Sequence, residues 1–236
     1  MLLLLACLIV LVSALVQTTI GFGLALIAVP LLVLIDPQMV PAPLIIVSLL
    51  QLSISAWKHR SEIHWKPLWI ALITRIPGTA LAVWLMGRYG IDGIKIFIAT
   101  SVLLAVAISL FKFEAEPNQR NHAIAGFFSA LSGTTTAIGG PPMALLYQNQ
   151  PADYVRANLS AYFTIGSMIS LAGVAMGGFI TAQSWVYVAW FVPATLLGTV
   201  LGLRLRHRVN AQLIRPAILV LCSASALIVI GQTLVS

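Results

Sequence analysis

From Leu2 to Ile35 the chain carries no charged residue. A run of this kind belongs in lipid, where every backbone N–H and C=O must find a partner inside the protein. Helices and closed barrels meet that demand. The apolar residues here do not alternate with polar ones, which argues against lipid-facing barrel strands and for helices. At ~1.5 Å rise per residue the tract is too long for one straight crossing of a ~30 Å hydrocarbon core. It is also interrupted, by QTTIGFGLALIAVP at residues 17–30. A second interrupted tract covers 122–148 and contains SGTTTAIGGPPMALL at residues 132–146. Each tract is read as two short helices meeting at a bend, a hairpin that is either re-entrant or crosses twice.

The rest of the composition agrees. Of 236 residues, 60% are hydrophobic and 8% charged, and the mean hydropathy is +1.01. A soluble domain has about 25% charged residues. The net charge of +7 sits in loops, where orientation in a membrane accounts for it, so it implies no nucleic-acid partner. Cys7 and Cys222 lie in apolar runs at opposite ends, without metal or redox spacing. Neither a metal nor a cofactor is expected. No Lys or Arg precedes the first apolar run, so MLLLLACLIVLVSALVQ reads as a retained membrane helix rather than a signal peptide.

The sequence repeats itself. Ser13, Ala14, Leu15, Thr18, Thr19, Gly23 and Ala28 fall on Ser129, Ala130, Leu131, Thr134, Thr135, Gly139 and Ala144, 116 positions later without a gap. Pro77, Thr79, Leu81, Leu85 and Arg88 fall on Pro193, Thr195, Leu197, Leu201 and Arg204. A single transmembrane domain, 1–236, is therefore divided into repeats 1–116 and 117–236. Each has a broken-helix hairpin followed by three plain spans: 40–57, 67–87 and 93–111, then 156–176, 184–203 and 212–234. A hairpin makes an even number of crossings, so each half makes an odd number and the halves are inverted. The basic residues test this. Inversion puts Lys58, Arg60, Lys66, Lys112, Arg120, Arg156, Arg204, Arg206, Arg208 and Arg215 in the cytoplasm, and only Arg88 and Lys95 outside. Single crossings by the broken tracts would spread the charges almost evenly. The expected fold is all-α: a polytopic bundle of two inverted-topology repeats with both termini outside.

Inverted repeats with broken helices are a common transporter plan. A helix that begins inside the membrane offers unpaired N–H groups and a partial positive charge to an anion. Thr18, Thr19, Thr134, Thr135 and Thr136 would add hydroxyls. Gly21, Gly23, Gly139 and Gly140 would let a ligand approach the backbone. Pro141 and Pro142 suit the first turn of a half-helix. The competing reading is that these small residues only let helices pack closely. Arg75, in ALITRIPGTALAVWLMG, is the one charge deep in a plain span, and its planar fork suits an oxyanion. Its alternative is a snorkelling or carbonyl-bound side chain, and its repeat mate is Phe191. Gln17, Gln51, Asn158 and Tyr162 are polar groups in or near spans that serve either a ligand or helix packing. His59, His64, His122 and His207 fall in loops and are expected to be solvated. Trp57, Trp65, Trp69, Trp84 and Trp185 read as interfacial anchors. Asp36, Glu62, Asp92, Glu114, Glu116 and Asp153 are placed in loops or at span ends, which removes the usual intramembrane proton relay. No nucleotide-binding motif or catalytic constellation is present, so neither ATP hydrolysis nor an enzyme is expected.

GFGLALIAVPLL after the first break and GGPPMALLY after the second resemble the TauE/SafE sulfite exporter family, also called TSUP. The repeat, the length and the basic loop after the seventh hydrophobic segment fit as well. The resemblance rests on Gly21, Phe22, Gly23 and Pro30 in the first motif and on Gly139, Gly140, Pro141 and Pro142 in the second. It implies a bacterial inner-membrane transporter of sulfite, sulfonates or related small anions. The cysteine motif of thiosulfate-uptake relatives is missing. The expected function is export of a small anion by alternating access, from a site of Gln17, Thr18, Thr19, Gly21, Phe22, Gly23, Gln51, Arg75, Thr134, Thr135, Thr136, Gly139, Gly140 and Pro141. An anion channel with the same tips as a filter, and a non-transporting subunit of a larger complex, are the alternatives. The expected partners are the anion and the lipid bilayer, with a homodimer left open.

Overall fold

The structure is a computed structural model that describes residues 1–20, 24–110, 116–147 and 149–205. Among these, regular structure is entirely helical: α1 Leu2–Ile20, α2 Leu24–Ile35, α3 Ala42–Lys58, α4 Trp65–Leu110, α5 Gln119–Thr136, α6 Gly140–Tyr147, α7 Ala152–Met176 and α8 Ala182–Leu205. Two 3₁₀ turns, Pro37–Met39 and Arg60–Glu62, join the first four. Five helical stretches are long and apolar enough to cross a membrane: Leu2–Thr19, Pro37–Lys58, Trp65–Gly90, Asp153–Met176 and Ala182–Leu205. The span expected over 212–234, together with Lys112, Glu114, Arg206, His207, Arg208, Arg215 and Cys222, lies outside the described residues.

The breakers act where the sequence puts them. α4 is two helices meeting at Gly90, whose φ of 61° and ψ of −157° leave the helical region. A residue without a Cβ accepts that conformation readily. α2 ends at Asp36, whose side chain accepts a hydrogen bond from the Gln38 N–H at 2.8 Å and another from the Tyr187 hydroxyl. The second contact ties the end of α2 to α8. α5 begins at Asn118, which caps the Asn121 N–H at 2.8 Å. It ends at Ala137, in the left-handed region at φ 62°. Pro77 and Pro193 both sit inside helices, α4 and α8.

The hairpin arms are unequal, whereas two short helices are expected for each. α1 has 19 residues and α5 has 18, while α2 has 12 and α6 has 8. At 1.5 Å per residue the first arms are about 27–28 Å long and the return arms are too short to span. The reason is the position of the break. Nothing interrupts either first arm until its hydrogen-bonded turns are nearly as long as the core is thick.

The two halves exchange partners. α1 packs mainly on α8, and α5 packs mainly on α4, touching its first limb at Gly78 and Ala71. α3 lies against α7 between these pairs. Both pairs approach so closely that only glycine fits. A Cβ on Gly78 would stand 2.5 Å from the Phe127 carbonyl oxygen and 2.9 Å from the Ala130 Cβ. A Cβ on Gly198 would stand 2.3 Å from the Leu11 carbonyl oxygen and 3.0 Å from the Ala14 Cβ. Phe127 and Ala130 are the repeat mates of Leu11 and Ala14. Close backbone approach of this kind is how helices associate in lipid, where no hydrophobic driving force separates them from the solvent.

The large side chains at the periphery point outward. Trp57, Trp65, Trp69, Trp84 and Trp185 are all exposed. His122 departs from the expectation of a solvated loop residue. It lies inside the first turn of α5, buried, with Nδ1 at 2.8 Å from the Asn118 carbonyl oxygen and Nε2 at 3.1 Å from the Tyr147 hydroxyl. α5 starts at Gln119, so the helix draws His122 into the bundle.

Gly126 offers a test of the packing. A Cβ there would fall 2.3 Å from the Ala71 carbonyl oxygen and 2.5 Å from Thr74 Oγ1. Gly126→Ala is expected to destabilise the purified protein by ~1–3 kcal/mol, the usual cost of overpacking. An unchanged melting temperature would mean that α4 and α5 are not in this contact.

Candidate functional site

Arg75 lies ten residues beyond Trp65, ~15 Å along the first limb of α4. It is only 3% exposed. Its Nε donates to the Gly166 carbonyl oxygen at 2.9 Å. Nη1 donates to the Tyr162 hydroxyl at 3.0 Å and to Ser129 Oγ at 3.4 Å. Nη2 donates to Ser170 Oγ at 3.0 Å. The guanidinium also lies 5.2 Å from the centre of the Tyr162 ring, within cation–π range. Every one of these partners is neutral.

The second hairpin tip is built onto this cluster. Ser129 Oγ donates to the Gly139 carbonyl oxygen at 2.6 Å, which anchors the turn to α5. Ser170 shares a 2.8 Å hydrogen bond with Thr134, and Thr134 one of 3.3 Å with Thr79. The chain Thr79–Thr134–Ser170–Arg75 therefore ties α4, α5 and α7 together. Room for the guanidinium comes from Gly166, where a Cβ would stand 2.5 Å from Arg75 Cζ, and from Gly133, where it would stand 3.4 Å from Nη2.

Beside Arg75 is a cavity of about 70 Å³. A single water needs about 10–15 Å³ of such space, so it suits a small polyatomic ion. Gln17 enters from the first hairpin, Gly139, Gly140 and Pro141 from the second, and Ser48, Ser167 and Ser170 from α3 and α7. On α7 the lining residues Phe163, Ser167 and Ser170 fall on one helical stripe. Among the described residues the cavity thus has one cation, several hydroxyl and amide groups and apolar walls. That is a setting for holding a small anion by charge-assisted hydrogen bonds.

The remaining expected residues have other partners. Thr18 donates to the Ala14 carbonyl oxygen at 2.8 Å, and Thr19 to that of Val16 at 2.9 Å. Thr135 donates to the Leu131 carbonyl oxygen at 2.8 Å, and Thr136 to that of Ser132 at 2.7 Å. Thr136 also accepts from the Ile138 N–H at 3.1 Å, which caps the tip. These hydroxyls give their protons to their own helices. Gln51 donates to the Ala14 carbonyl oxygen and to Thr18 Oγ1, both at 2.8 Å, and accepts from Gln17 Nε2 at 3.1 Å. Gly21, Phe22 and Gly23 lie outside the described residues. Asn158 accepts from the His64 N–H at 2.8 Å and donates to the Tyr154 carbonyl oxygen at 2.8 Å, pinning the loop before α4. Phe191, the repeat mate of Arg75, is fully buried and stacks on Tyr187.

Ser129, Gly166 and Ser170 are not anticipated from the sequence. The available hint is IGSMIS at 165–170, where small residues recur three and four apart on one face of an otherwise bulky helix.

The family profile described as Sulfite exporter TauE/SafE matches residues 5–229. No curated protein and no solved structure matches the chain.

Gln17 links α1 to the start of α2. Its Oε1 accepts from the Leu24 N–H at 2.8 Å, a donor at the start of α2 that has no partner within its helix. Gln17→Leu is expected to lower stability by ~1–3 kcal/mol, because that buried N–H and the Gln51 amide both lose a partner. Thermal melting of the purified variant measures this, and wild-type stability would rule out the capping role.

Proposed function

We propose that this chain, which belongs to the sulfite exporter TauE/SafE family, is a secondary transporter whose cavity beside Arg75 holds a small sulfur-containing or organic anion. One observation carries the reading: a buried guanidinium borders a small cavity, and its partners among the described residues are all neutral. A buried cation without a counter-charge is costly, and an anion in the cavity offsets that cost. Sulfite and short sulfonates match in size and in having several acceptor oxygens for a planar fork.

The two halves act as inverted repeats that rock around this site. The exchanged packing, α1 on α8 and α5 on α4, is what a two-fold relation between the halves produces. Export follows from charge. In an inner membrane that is negative inside, an anion leaves downhill by ~2.3 kcal/mol per charge per 100 mV. A channel would conduct far faster than a carrier turns over and would show no counterflow.

The substrate test is calorimetry and thermal shift with sulfite, sulfoacetate, isethionate, taurine, acetate and phosphate. Wild type is compared with Arg75→Gln and Arg75→Lys. A bound sulfonate or sulfite is expected to lose about tenfold or more in affinity in Arg75→Gln, the scale of a charged hydrogen bond. Arg75→Lys should fall between, since it keeps the charge and loses the fork. An Arg75→Gln protein that melts like wild type and binds equally well would sink the site.

Sidedness has its own test. In a background without Cys7 and Cys222, Lys58→Cys should react with an impermeant thiol reagent only after cells are permeabilised. Arg88→Cys should react in intact cells. The opposite pattern would reverse the orientation, and labelling of both from one side would remove the crossing between them.

A further inference from the structure

A second cavity, of about 40 Å³, lies at the end of the bundle where α3 finishes and α7 begins. Lys58 and His59 reach it from α3's end, Arg156 from α7, and Thr18, Gln51 and Gln17 form polar wall. Among the described residues, no carboxylate lines it. The Arg156 guanidinium has distant partners: Asp153 at 3.4 Å and the Thr19 carbonyl oxygen at 3.4 Å. The Asp153 side chain is 71% exposed, so water screens that pair strongly. The cavity is thus a concave basic surface over a polar base of mutually bonded hydroxyl and amide groups.

Its position relative to the first cavity gives it a role. Gln17 and Leu52 line both. They form the wall between a basic chamber and the Arg75 cavity, and the Gln17–Gln51 hydrogen bond of 3.1 Å braces that wall. Clefts lined by one sign of charge concentrate ions of the other sign. We infer that the Lys58–His59–Arg156 cavity is a second, entry site for a small oxyanion, one step from the Arg75 cavity across the Gln17–Gln51 pair. The order of the two sites rests on the Arg75 cavity being the central one, but occupancy of the entry site does not.

Sulfoacetate is a suitable probe, because it does not consume an acylating reagent. Purified full-length protein is acetylated at fixed ionic strength with and without it, and the rate at each lysine is read by mass spectrometry. Saturating sulfoacetate should slow Lys58 by about tenfold when its concentration is nine times Kd, since protection scales as 1 + [L]/Kd. Exposed Lys66, which lines neither cavity, should be unaffected. Protection should vanish in a folded Arg156→Gln variant, return in Arg156→Lys, and persist in Arg75→Gln. An unprotected Lys58 in wild type, or protection that disappears with Arg75→Gln, overturns the entry site. Protected Lys58 with unchanged overall affinity in Arg75→Gln leaves the entry site standing and removes the central one.

Discussion

Everything at the centre of this bundle is arranged around one buried guanidinium. Taking Arg75 out of water costs several kcal/mol even after relaxation, so its N–H groups must be met. Helix α7 meets them with the Gly166 carbonyl, Tyr162 and Ser170, and α5 with Ser129. The carbonyl of Gly166 is available because the residue has no side chain to hold the guanidinium away. Ser129 also fixes Gly139, so the second hairpin tip is positioned by a residue that touches the cation. The broken helix and the charge are one unit. The same hydrogen bonds that make the cation tolerable place the cavity's wall.

That unit needs helices held closer than ordinary side chains permit. Gly78, Gly126 and Gly198 each set a carbonyl of the neighbouring helix within 2.5 Å of where a Cβ would be. In lipid this closeness replaces the hydrophobic effect as the source of association, through dispersion contacts and hydrogen bonds across the interface. It also shields Arg75. α4 cannot turn its guanidinium toward lipid while Phe127 and Ala130 lie against Gly78.

Much of the frame was legible in the sequence. Apolar tracts and prolines place the described helices, and Gly90 falls in the expected gap between two spans. Arg75 stands out in the sequence because a charge in an apolar helix is costly, whereas its neutral partners do not stand out. The lengths of the hairpin arms are not legible, because periodicity locates a break without fixing the depth at which it falls. The threonines were harder. A hydroxyl in a helix can donate to its own carbonyl three or four residues back, and Thr18, Thr19, Thr135 and Thr136 do so. A sequence does not distinguish that from a hydroxyl aimed at a ligand. His122 shows the same limit at a helix end, where one turn of extra helix converts a loop residue into a buried one. Ser170 and Gly166 had no motif to mark them, since their meaning comes from an arginine more than ninety residues earlier.

The repeat makes the chemistry of the site easier to see, because the halves differ where it matters. Position 17 is glutamine in the first half and Gly133 in the second; position 51 is glutamine and Ser167; position 75 is arginine and Phe191. A glutamine at 133 would have to occupy space that Gly139 and the Arg75 Nη2 already fill, 3.2 and 3.4 Å from a Cβ there. Conversely, the glutamines of the first half bond to each other and to the start of α2, which closes the region that glycine and serine leave open in the second. Phe191 belongs to the apolar cluster around α1 and α2 and stacks on Tyr187. On the proposed carrier reading, two identical inverted halves would give two access states of equal energy, and a cation in one half with an amide pair in the other would make those states unequal.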